Sequence, residues 1–117
     1  MEKNYKGLIV EESLDDNRIL NRFNVIGLEV TESENPAERW HIFQVKAGKN
    51  DIELLAKHIA DKKWYAHFWS DDEILVVFQH KMFAIDRHND KKGNDEAVKY
   101  GLNLGIPKEQ LDFLIPF

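Results

Sequence analysis

The 117-residue chain contains no cysteine, which excludes a disulfide framework and any metal held by thiolates. Long hydrophobic runs are also missing. The longest, Ile74 to Phe78, is far short of the ~20 apolar residues that a membrane-crossing helix needs. The opening residues, Met-Glu-Lys-Asn-Tyr-Lys-Gly, lack the apolar stretch of a secretory leader, so a cytoplasmic location with no membrane partner is expected. Basic residues are outnumbered, 16 Lys and Arg against 21 Asp and Glu, for a net charge of −5. That balance argues against phosphate-backbone binding as a main activity, because such binding depends on neutralising phosphates. The only serines are Ser13, Ser33 and Ser70, none within G-x-S-x-G, and no dinucleotide or Walker-type glycine loop is present.

A hydrophobic fraction of 43% and a charged fraction of 32% suit one ordinary globular domain spanning residues 1–117. Its organising stretch is Trp64 to Asp86. Val, Ile, Phe, Tyr and Trp dominate there, and these fit a pleated, half-buried surface. Ser70-Asp71-Asp72 and Gln79-His80-Lys81 break it into three strands. In the first strand Tyr65, His67 and Trp69 share a face. In the second, Ile74, Val76 and Phe78 line one side while Leu75 and Val77 line the other, a pattern that requires cover on both sides.

Upstream, Gly7 to Val10 begins a strand continued by Glu11-Glu12-Ser13. Leu14 to Phe23 reads as a short helical turn or a loop. Val25 to Thr31 alternates as a second strand, and Trp40 to Val45 forms a third beyond the polar connection Glu32–Arg39. Asn50 and Glu53 have the spacing of a helix N-terminal cap, with Ile52, Leu55, Ala56 and Ile59 on one stripe and Lys62-Lys63 at the far end. Downstream, Arg87 to Asn94 reads as a charged loop. Asp95 to Leu104 is a second helix stopped by Gly105, and Lys108 to Phe113 a short third one behind Pro107. The order βββαβββαα predicts an α+β fold: a mostly antiparallel sheet of five to six strands with two helices and a short C-terminal helix. Two helices can cover one face of such a sheet, and the other is expected to be open.

Chemistry-bearing residues are sparse. The five histidines, His41, His58, His67, His80 and His88, fit no zinc spacing. Asp86 to Asp90 begins like a calcium loop but has Lys91 where glycine is required and Ala97 in place of the closing glutamate. Neither a metal nor a cofactor is expected. Glu11 and Glu12, as adjacent strand residues, should point to opposite faces and so cannot flank one substrate bond. A charged edge strand is the simpler account. Gly101 to Leu111 has the spacing of a helix-turn-helix corner, but its second helix carries Glu109 and Asp112 against one lysine, which makes nucleic-acid binding the least supported reading.

Gly7-Leu-Ile-Val-Glu-Glu-Ser-Leu14, the Trp64–Arg87 strands and Glu96 to Phe113 together resemble a family of short uncharacterised prokaryotic proteins across nearly the whole chain. The resemblance implies a single-domain cytoplasmic protein and assigns no catalytic residue. Two functional expectations follow from the residues themselves. A non-catalytic homodimer would cover the open sheet face. Alternatively, a sensor or enzyme would bind a small molecule at Tyr65, His67 and Trp69, with Glu12, Arg87 or His88 nearby for proton transfer.

Overall fold

The computed structural model describes residues 5–88 and 90–113. Met1–Asn4 and Asn89, on which the leader and calcium-loop readings partly rest, lie outside them. Six strands form one antiparallel sheet: β1 (Tyr5–Val10), β2 (Asn24–Val30), β3 (His41–Ala47), β4 (Tyr65–Trp69), β5 (Glu73–Phe78) and β6 (Lys81–Asp86). Their spatial order is β2-β3-β1-β4-β5-β6. The first three strands and the last three are therefore two antiparallel halves joined where β1 pairs with β4, with Gly7 opposite Phe68 and Leu8 opposite His67. The two-residue connection between β5 and β6 puts His80 at φ 60°.

Helix α1 (Lys49–Leu55) lies on one face, and α2 (Lys91–Asn103) on the other. The first face packs Ile9, Val45, Phe68, Leu75 and Val77 against Ile52, Leu55 and Ile59, with Ile19 and Phe23 closing the end. The second packs Ile74, Val76, Phe78 and Ile85 against Ala97, Ile106, Leu111 and Phe113. Every residue from Ile74 to Phe78 is at most 1% exposed. The expectation that both helices share one face is overturned, because each takes its own. Burying an apolar side chain of this size contributes on the order of 1.5–3 kcal/mol. An open flank with three of them would therefore offset much of a small domain's roughly 5–15 kcal/mol of stability. The premise of a dimer built over β5 is thereby removed.

Several local expectations also change. β1 ends at Val10, where Glu11–Ser13 forms a 3-10 turn, and it lies between β3 and β4, a central strand and not a charged edge. Helix α1 is capped at Gly48 without a side-chain bond and ends at Leu55, about two turns on, so the Asn50-to-Lys63 reading is too long. Helix α2 begins four residues early, at Lys91, because Asp90 accepts a hydrogen bond from the Gly93 amide at 2.9 Å. Gly105, at φ 91°, does stop it. The short C-terminal helix is a single 3-10 turn, Lys108–Gln110. Among the described residues no helix is long and apolar enough to cross a membrane.

Candidate functional site

Cover on the second face stops at β4. Beyond it, over β1 and β3, Leu8, Val10 and Ile42 stay partly exposed, while Lys6, Gln44 and Lys46 share their side. The step between covered and uncovered sheet forms a groove of about 640 Å³. Leu8, Val10, Ile42, Tyr65 and His67 floor it, and Trp40, Trp64 and Gln110 wall it, with Asp61 and Lys63 at the rim. Its size and apolar lining with few polar groups are those of small-molecule sites. Trp40 precedes β3 and Trp64 precedes β4, so both indoles stand at the same end of the sheet, edge-to-face at 5.0 Å.

Tyr65 and His67 lie in the groove, as their shared strand face requires, with rings 6.3 Å apart. The Tyr65 hydroxyl donates to the Gln110 carbonyl, and its ring meets Phe113 edge-on at 5.5 Å. Those contacts pin the C-terminal segment as the groove wall. Burial, with the Asp112 charge adding to it, pushes the Tyr65 phenol up to about 12. Burial also holds His67 below the usual histidine value, opposed by Asp112. His67 is thus a neutral imidazole near pH 7. Its Nε2 is buried with no hydrogen-bond partner among the described residues, a position that costs stability until something pairs with it.

The remaining residues expected around this set are not gathered there. Trp69 continues the stack, 5.6 Å from His67, but borders a separate hollow with Ile74, Arg87 and Phe113. Arg87 donates to the Ser70 carbonyl at 2.6 Å, which fixes it to the β4–β5 turn. His88 is exposed and lies 3.9 Å from Asp72. Glu12 accepts from the His41 ring at 2.7 Å and from the His41 amide at 2.8 Å. The histidine–carboxylate pairs, His41–Glu12, His58–Asp15 and His88–Asp72, therefore lie away from His67, and the proton-transfer arrangement anticipated for it is not formed.

Because residues 11–13 turn instead of extending, Glu11 and Glu12 converge after all. With His41 they offer three ligand atoms within 4.8 Å of one another, a set of hard oxygens and one imidazole of the kind divalent cations accept. Glu11 is already engaged at one oxygen, by Asn17 Nδ2 at 2.9 Å, and Glu12 at both, Oε1 by the His41 amide and Oε2 by the His41 ring. The cluster fastens the end of β1 to the start of β3. Trp40, Trp64 and Gln110 were missed from sequence. Two tryptophans each just before a strand was the available signal, and Gln110 gave none.

The chain matches no protein-family model, no curated protein and no solved structure in such comparisons.

Proposed function

We propose that this protein is a non-catalytic binding module whose groove between Trp40, Trp64 and His67 takes a flat, largely apolar small molecule. The observation that carries this reading is the buried Nε2 of His67, without a hydrogen-bond partner among the described residues, at an aromatic-walled groove of about 640 Å³. Two indoles and a phenol supply stacking surface at low conformational cost, and the Nε2 of His67, shielded from solvent, would pair with a guest that displaces what covers it. Binding, and not catalysis, is supported by the chemistry at hand. Burial holds the groove's one histidine below its usual value, with the Asp112 charge opposing, and the ion pairs of His41, His58 and His88 with carboxylates stand elsewhere.

The test is a titration of the protein with a library of ring-bearing fragments, read by tryptophan emission and by the NMR signals of His67. Fragments that shift both in the wild type and neither in Trp64→Ala support the groove. A library that moves neither signal overturns it.

A further inference from the structure

Of the six large apolar side chains most exposed in the described chain, four belong to one strand: Val25, Ile26, Leu28 and Val30 of β2, at 44–55%. Among the described residues β2 is an edge strand, paired with β3 alone. The direction of its free edge can be read from two hydrogen bonds. The Thr31 amide donates to the Trp40 carbonyl at 2.9 Å, whereas the His41 amide turns away to Glu12. Antiparallel partners alternate between bonded and non-bonded pairs. Glu29 with Ile42 and Gly27 with Gln44 are then bonded pairs, while Leu28 and Val30 aim their N–H and C=O groups outward.

Exposed edges normally carry charge, proline or cover, since bare ones pair with other chains. The opposite edge follows that rule: β6 has Lys81 and Asp86 at its ends, α2 beside it, and the Lys81 ammonium 5.3 Å over the Phe83 ring. β2 has one charge in seven residues, Glu29, and no proline. We infer that β2 is a self-pairing edge and that its occupant is a second copy of this chain, joined antiparallel across a two-fold axis at Leu28.

Register selects that axis. Leu28 opposite Leu28 of the partner subunit sets Ile26 opposite Val30 of the partner subunit and Glu29 opposite Gly27 of the partner subunit. The outward backbone groups meet, apolar side chains face apolar ones, and the lone carboxylate faces a residue with no side chain. Shifting the axis to Glu29 would set that carboxylate against its own copy, which is destabilising. Shifting it to Gly27 would pair Val30 with Asn24, beyond the register break between Val25 and Gly27. Closed two-fold pairing also uses up the edge, so assembly ends at the dimer.

The experiment is light scattering coupled to size exclusion on the full chain across a micromolar dilution series, with amide hydrogen exchange alongside. The wild type is expected at twice the 13.8 kDa subunit mass, with the Leu28 and Val30 amides protected. Val30→Pro removes an outward N–H without touching the ladder to β3, and Leu28→Lys places like charges across the axis. Each should return a monomer with native circular dichroism and fast exchange at position 28 in the proline variant. A wild-type monomer, a dimer that survives both substitutions, or an open-ended oligomer overturns the inference. Groove binding is unaffected by any of these outcomes, so the two readings fail separately.

Discussion

The indole of Trp40 meets that of Trp64 edge-to-face at 5.0 Å, although they stand 24 positions apart in the chain with α1 between them. Trp40 is also 42% exposed, so its indole remains open to water while lining the groove. Trp64→Ala is expected to red-shift Trp40 emission and to cost about 0.5–1.5 kcal/mol beyond lost area, the usual worth of an aromatic pair. Chemical denaturation of the variant beside Trp40→Ala and the double variant measures it. Additive losses would mean that the rings do not interact.

Gly7 is required by Phe68. A Cβ at position 7 would stand 2.1 Å from Phe68 Cδ2, and both residues lie in the central pair of strands, where neither backbone can retreat. Gly7→Ala should destabilise by at least the roughly 1–3 kcal/mol typical of overpacking, more than Gly105→Asn, where the added side chain meets open space and only the positive φ, which asparagine adopts more readily than most residues, is strained. Urea midpoints rank the two; equal midpoints would contradict the packing account.

These examples mark how much was legible in the sequence. The three strands of Trp64–Asp86 could be read because turn residues bound them, and the double-sided burial of Ile74–Phe78 because no polar residue interrupts it. What could not be read was which helix covers which side. α1 and α2 have apolar stripes that fit either face, and the choice is made by long-range packing. Glu11 and Glu12 were misplaced because strand periodicity was extended past Val10, where Ser13 Oγ donates to the Val10 carbonyl at 2.6 Å and turns the chain. The Tyr65–His67 half of the groove follows from strand alternation. The Trp40, Trp64 and Gln110 half depends on tertiary neighbours.

His41 titrates upward. The hydrogen bond to Glu12 raises it above the usual histidine value, with burial opposing and the charges of Glu12 and Glu11 adding to the rise. Glu12 is lowered, since the His41 bonds outweigh its own burial. The His41 contribution to stability is complete below the ordinary histidine value and is lost as pH rises through the raised one. The Glu12 contribution is present above the ordinary carboxyl value and is lost as pH falls through the lowered one. Wild type should therefore exceed Glu12→Gln most in mildly acidic solution and least at alkaline pH. An NMR titration of His41 whose midpoint does not drop in Glu12→Gln would refute this.

His67 carries the opposite sign. Burial depresses it, and the Asp112 charge only partly restores it, so the folded chain resists a proton that the unfolded chain accepts. Stability from a depressed base is fully present above its unfolded value, near 6.5, and falls as pH drops toward the folded value. Denaturation midpoints at neutral pH and near pH 5 should then converge more for His67→Phe than for the wild type, because phenylalanine keeps the ring and has no proton to accept. A guest bonded to Nε2 bears on the same equilibrium. If it needs the neutral imidazole, acid should weaken its binding in step with the loss of stability, and binding indifferent to pH across this range would mean that the guest does not touch His67.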